Sequence, residues 1–333
     1  MRKKSQAEVC VNIELRPLRL GEILDRTFQL YRQHFALFLG IAAVSTLLEL
    51  LWSACQLGQN SLLIRHHIGP VQQVITTVTA IAGWAFGFAC AALATAAINR
   101  AVLAIYEGRP VGITSAYSAV RGRWLTCAWI NMLAFFIAWS PIIVVAFGAV
   151  VTVFVARSAK TLGVANAVTF VYGFAGVAAF IAIPLCVWLS LRYSLAIPVC
   201  IQEGIGTISS LKRSVLLSRD SRGRILLLFL VVGAAWMIVL TAFMIPGFAA
   251  LAKSRGHMAL GTTIYTLGVS FLCSTLMKPV YGIGLTLFYY DERIRKEGYD
   301  VEWMLEHSAQ PGAPAPPQLF PGPDSTPSGI IAG

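Results

Sequence analysis

Charge is scarce in this chain, and acid is scarcer: Lys and Arg number 26, Asp and Glu 15, and charged residues make up 12% of 333 residues. With 57% hydrophobic residues and a mean hydropathy of +0.71, the chain carries far more apolar sequence than one soluble core needs. A soluble globular enzyme is excluded on that ground, and the membrane must be the solvent. The net charge of +11 does not read as a nucleic-acid footprint, because the basic residues stand between apolar runs instead of forming one stripe. No nucleic-acid partner is expected.

Catalytic signatures are also missing. No H-E-x-x-H, G-x-S-x-G, G-x-x-x-x-G-K-[ST] or G-x-G-x-x-G in a strand-to-helix context occurs, which leaves zinc hydrolysis, acyl transfer and phosphate-loop chemistry without a motif. Seven cysteines, Cys10, Cys55, Cys90, Cys127, Cys186, Cys200 and Cys273, are scattered singly with no C-x-x-C pair. Neither a disulfide framework nor a thiolate metal site follows, and small apolar packing residues are expected. His66 and His67 with His257 are the only histidines with a chance of gathering, yet adjacent imidazoles chelate poorly and no carboxylate stands beside them. The expectation is a non-catalytic protein with no cofactor and no metal.

What the sequence does contain is a repeated pattern, clearest from Gln202 to Leu240: a Glu-Gly turn, a short basic amphipathic segment, Arg222-Gly223-Arg224, then an apolar run. Only a helix carries so long an apolar run with its backbone polar groups satisfied. The fold class expected is all-α, a polytopic membrane protein with six transmembrane helices. A polar, basic arm (1–19) comes first. It lacks the apolar core and cleavage site of a signal peptide, so the first span is expected to serve as an uncleaved signal. The six-helix domain (20–307) follows, with spans near 36–55, 74–104, 124–155, 165–199, 225–250 and 260–290. The fourth is expected to break or kink near Pro184 and Pro198. A polar segment, Asp291 to His307, leads to a Pro- and Gly-rich tail (308–333) with almost no core formers, which is expected to be disordered.

Glu107-Gly108, Glu203-Gly204 and Glu297-Gly298 recur about 95 residues apart, each after an even-numbered span, and Gly21, Gly112 and Gly206 open three amphipathic segments at similar separation. Three hairpin repeats are therefore expected, about 20–108, 112–204 and 206–298, each beginning with a cytoplasmic interfacial amphipathic helix. Such a unit places both termini on one side. That side holds 20 Lys or Arg against five on the other, so it is the cytoplasmic one.

Inside the spans, ionisable residues are few. Glu49 and Lys278 fall at matched depth, near 20 Å from the cytoplasmic edge at about 1.5 Å per residue. Each alone costs roughly 2.5–3.5 kcal/mol at the bilayer centre, so the first and sixth helices are expected to touch there. With Asn131 the two could line an intramembrane polar site. The basic faces, with Arg26, Arg32, Arg121, Arg123, Lys212, Arg213, Arg222 and Arg224, are candidate contacts for anionic lipid headgroups. Leu24, Phe28, Leu211 and Leu216 would anchor the interfacial helices.

Residues 18–32, LRLGEILDRTFQLYR, resemble the opening of the bacterial glycerophosphoryl diester phosphodiesterase membrane-domain family. Residues 203–224 resemble that family's E-G-x-x-x-x-x-L-x-R-S-x-x-L segment, and residues 287–300, LFYYDERIRKEGYD, its closing segment. The resemblance spans about 15–302 and implies a six-helix membrane module, in some relatives joined to a separate soluble phosphodiesterase domain. The acid and histidine residues of that enzyme have no matching positions here, so its activity is not implied. Together the residues lead to an integral protein of the bacterial inner membrane, a scaffold or lipid-associated module whose expected partners are membrane lipids, anionic ones above all, and a cytoplasmic or membrane protein of unknown identity. A small transporter with a cavity near Glu49, Asn131 and Lys278 is the alternative.

Overall fold

A computed structural model describes residues 18–66, 69–159, 164–253 and 260–298. The expected arm up to residue 17, the tail, the segment from residue 299 to His307, and His67 and His257 lie outside the described residues. The described chain is all helical: α1 (Leu20–Gln33), α2 (Phe35–His66), α3 (Gly69–Tyr106), α4 (Ile113–Val120), a 3-10 turn (Arg121–Arg123), α5 (Trp124–Ala159), α6 (Val164–Tyr193), α7 (Ala196–Glu203), α8 (Thr207–Leu217), α9 (Arg222–Lys253) and α10 (Leu260–Glu297). Six segments are long and apolar enough to cross a membrane, in α2, α3, α4–α5, α6–α7, α9 and α10. Their sparse charge explains the length of these helices: nothing in lipid competes for the backbone, so the helix continues until a polar turn stops it.

The stops are chemically specific. Gly108, Gly204 and Gly298 take left-handed φ values of 67°, 69° and 64°, a conformation that costs a side chain with a Cβ roughly 1–2 kcal/mol. Each directly follows a helical or turn glutamate. The starts are local too. Arg19 donates its backbone N–H to Glu22 Oε2 at 2.9 Å before α1, and Gly112 donates to Ser115 Oγ at 2.8 Å before α4, satisfying amides that the first turn leaves unpaired.

The fourth span breaks at only one of the two prolines expected to interrupt it. The helix runs on through Pro184, and the interruption falls at Ser194 and Leu195. Pro198 is the third residue of α7. It has no N–H to offer the carbonyl of Ser194, and its ring would crowd that carbonyl in a continuous helix. The last span also differs: α10 continues through Asp291 to Glu297, where the sequence pattern suggested a separate polar segment.

α10 is the axis of the bundle. Buried residues make up 61% of its apolar window, against 6% for the α4–α5 segment, and it packs on α1, α2, α3, α7, α8 and α9. The principal core gathers Ile23, Phe38, Ile41, Ile98, Ile225, Ile283, Phe288 and Tyr289 around it. A smaller cluster joins Ala92, Cys127, Ile130, Cys200 and Ile201. Cys90, Cys127, Cys186, Cys200 and Cys273 are buried and free, while Cys55 is exposed and free. Polar pins fix the register of α10. Thr46 and Thr275 share a hydrogen bond of 2.7 Å, Thr286 donates to Asn99 Oδ1, and Tyr31 Oη donates to the Leu276 carbonyl at 3.1 Å.

Close approach of α3 to α10 depends on Gly282, where an added Cβ would lie 2.9 Å from Ile98 Cγ2 and 3.3 Å from its Cβ. At Gly284 the same atom would meet Leu228 and Thr27 no closer than 3.6 Å. Gly282→Ala is therefore expected to destabilise by about 1–3 kcal/mol through overpacking. Gly284→Ala should be neutral or mildly stabilising, since Ala exceeds Gly in helix propensity by about 1 kcal/mol. Thermal unfolding of the two detergent-solubilised variants, side by side, checks the pair.

Candidate functional site

Glu49 on α2 and Lys278 on α10 meet directly. Lys278 Nζ donates to both carboxylate oxygens, at 2.7 and 2.9 Å. Side chains of a helix lean toward its N-terminus. As first and last of six crossings, α2 and α10 run in opposite directions, so Glu49 and Lys278 lean toward each other past the Thr46–Thr275 contact. Sequence depth alone pointed to this pair, and the structure closes it with two hydrogen bonds, so that neither charge stands alone in the apolar layer.

Asn131 does not join them. Its Nδ2 donates to the Phe88 carbonyl at 3.0 Å, a contact between α5 and α3 beside the ring cluster of Phe88, Phe135 and Trp139. The three residues named as a polar site thus divide into an ion pair and a separate interhelical hydrogen bond.

The basic residues also divide. Arg224 is committed to the protein: Nη2 donates to Asp291 Oδ2 at 2.7 Å and to the Leu18 carbonyl at 2.9 Å, and Nη1 to Glu292 Oε1 at 3.3 Å. Arg213 reaches Glu203 at 3.2 Å and also pairs with Glu297, so one α8 side chain grips the glutamates of two Glu-Gly turns. Arg123 donates to the Gly204 carbonyl. Arg32, Arg121 and Lys212 are exposed and Arg26 is half-buried. The Arg222 guanidinium carbon lies 5.1 Å from the Trp188 ring centre. Among the proposed apolar anchors, Phe28 and Leu216 are exposed, but Leu211 is buried in the smaller core and Leu24 packs on the principal one. α8 turns Ser210, Leu211, Ser214 and Leu217 inward, which uses Leu211 for the bundle.

Sequence reasoning missed the anionic hub. Asp291 and Glu292 sit on α10 just beyond Tyr289 and Tyr290, with both side chains buried. Leu18 N–H donates to Asp291 Oδ1 at 2.7 Å. Arg295 bridges Asp291, at 3.0 Å, and the Leu18 carbonyl, at 2.6 Å. Lys296 donates to the Leu217 carbonyl at 2.7 Å and lies 3.5 Å from Glu292. The signal was there: Asp291-Glu292 is the one adjacent acidic pair among 15 acids, and it directly follows an apolar run. Arg192, likewise unnamed from sequence, lies 5.4 Å from the Trp188 ring centre. Among the described residues, no three His, Cys, Asp or Glu side chains gather as metal ligands.

A family model described as a domain of unknown function, DUF7847, matches residues 18–291. The chain belongs to the DUF7847 family. Searches of curated proteins and of solved structures gave no match. The two ends of the DUF7847 match, Leu18 and Asp291, are hydrogen-bonded to each other, so the matched region closes on itself at the hub.

Two outcomes follow from these charges. Glu49→Gln alone leaves Lys278 charged in the apolar layer and is expected to cost about 3–5 kcal/mol, most of it recovered in Glu49→Gln/Lys278→Met; thermal unfolding in detergent reads both. Arg224→Gln leaves Asp291 with Arg295 but strips Glu292 of its guanidinium, for a loss of about 3 kcal/mol. Limited proteolysis should then show earlier cleavage near Leu18 than in the parent protein.

Proposed function

We propose that the protein is a lipid-associated module or scaffold of the bacterial inner membrane, without catalytic activity of its own. In this reading three hairpin units each cross the membrane twice, and α1, α4 and α8 lie at the cytoplasmic interface. The three left-handed glycines, each just after a glutamate at the end of an even-numbered crossing, support the triplication. The resemblance to the glycerophosphoryl diester phosphodiesterase membrane-domain family fits a membrane module lacking that enzyme's acids and histidines.

The observation that carries the reading is the outer face of α8. Ile208 is 66% and Leu216 61% exposed beside exposed Lys212, while the opposite face is packed on the bundle. Large apolar side chains next to a cation, at the mouth of a crossing helix, match an interfacial helix whose apolar side enters the acyl boundary and whose cation meets headgroups. Phe28 and Arg32 repeat the combination on α1. The transporter alternative rests on the Glu49–Lys278 pair; Asn131 gives it no support, being committed to α3.

Native mass spectrometry of the detergent-extracted protein tests this. Anionic phospholipid is expected to remain bound in variable number as detergent is stripped, and to fall severalfold in Arg32→Gln/Arg121→Gln/Lys212→Gln. Equal retention of zwitterionic and anionic lipid would refute the module reading. A metabolite lost specifically in Glu49→Gln/Lys278→Met would favour transport.

A further inference from the structure

Arg192 is the penultimate residue of α6 and Arg222 the first of α9, and these helices pack on each other. Their guanidinium carbons lie 5.4 and 5.1 Å from the ring centre of Trp188, which puts them no more than 10.5 Å apart. Among the described residues, neither guanidinium has a carboxylate partner or a hydrogen bond, and the Nε of each is shielded without an acceptor. This sets them apart from Arg213, Arg224 and Arg295, each of which is bound to acid. The nearby Asp220 lies 3.4 Å from Lys296.

A shielded N–H with no acceptor is unfavourable, and two neighbouring guanidinia without counter-charge repel each other. An anion between them removes both costs. We propose that Arg192, Arg222 and Trp188 form a binding site for one phosphate-ester anion; this rests on the lipid-associated reading and gives it a defined locus. A guanidinium offers a planar fork of donors that matches phosphate oxygens in pairs. The indole holds both forks in place by cation–π contact, so little rotamer freedom is lost on binding. The backbone beneath is also held: the Arg192 carbonyl accepts hydrogen bonds from Ser214 at 3.0 Å and Ser218 at 3.3 Å, both buried on the α8 side.

The placement favours a phosphodiester at a membrane surface. Trp188 is 39% exposed and lies one turn before Arg192 near the end of a crossing helix, where indole rings settle at headgroup depth. A phospholipid would lay its acyl chains along the exposed apolar side of α6, which includes Ile181 and Leu185. A soluble phosphate ester would use the same two forks without that contact.

The test is a lipid titration of the full chain by native mass spectrometry, with phosphatidylglycerol and phosphatidylcholine as probes. The parent protein is expected to take up one phosphatidylglycerol well before any phosphatidylcholine. Apparent affinity for that first lipid should fall at least tenfold in Arg192→Gln/Arg222→Gln and stay unchanged in the surface control Arg109→Gln/Arg219→Gln. Arg192→Lys/Arg222→Lys keeps both charges but lacks the forks, and should also lose affinity. Inorganic phosphate in a parallel thermal-shift series separates the sources: displacement of the lipid by millimolar phosphate assigns a soluble ester, resistance assigns the headgroup. Unchanged first-lipid affinity in the folded glutamine variant overturns the site while leaving the general lipid reading standing. Should that variant fail to fold, unchanged affinity in the lysine variant overturns it equally. No preference for phosphatidylglycerol in the parent protein overturns both.

Discussion

Two adjacent carboxylates near the C-terminal end of α10 organise the fold. Asp291 and Glu292 are buried side by side, and adjacent like charges removed from water demand cations at short range. Arg224 comes from the start of α9, Arg295 and Lys296 from the next turn of α10, and the Leu18 amide from the approach to α1. Hydrophobic packing alone would let helices slide in lipid, where apolar contact is available everywhere. The carboxylates remove that freedom, because a displaced α9 or α1 would strand a buried charge.

The remaining polar contacts extend the constraint outward along α10. Thr286 meets Asn99 of α3, Thr275 meets Thr46 of α2, and Lys278 reaches Glu49 of α2. These pins sit at different depths and involve different neighbours, so together they set both the rotation and the height of α10. Gly282 supplies the complementary steric condition by letting Ile98 approach. The outer helices obey weaker rules. The α4–α5 segment buries little of its apolar window and holds the bundle through Val120, Cys127 and Ile130 in the smaller core, the Phe88–Phe135 ring contact and the Tyr117 and Asn131 hydrogen bonds.

How much of this was legible in the sequence depends on whether the signal was local. The crossing helices were readable because a run of apolar residues near 20 long has few other uses, and the glycines at 108, 204 and 298 because a glutamate-glycine step after such a run is a helix stop. Glu49 and Lys278 could be matched because charges are rare inside the runs and depth is counted in residues. The hub was missed although its adjacent acidic pair stood in the sequence, because Asp291 and Glu292 open a polar stretch whose pattern resembles an exposed segment. Of the two prolines expected to interrupt the fourth span, only Pro198 does so, because it falls in the first turn of a new helix while the helix runs on through Pro184; the two look alike in sequence. Nor could periodicity sort Leu211 from Leu216 on α8, where both faces carry apolar residues and packing decides which turns inward.

The fate of each arginine is the least local property of all, and it bears most directly on function. Arg222 and Arg224 are two residues apart in one motif, yet a helix turns about 200° between them, so they project to nearly opposite sides. Arg224 turns into the bundle and locks it, while Arg222 turns toward Trp188, outside the acid cluster. The same division recurs between Arg213, bound to two glutamates, and Lys212, exposed beside Ile208 and Leu216. Alternating destinations divide one short basic stretch: one cation closes the fold while its neighbour is left outside the acid cluster. Counting positive charges on a face therefore overstates what a membrane can meet, because the inward-facing members already have partners within the protein.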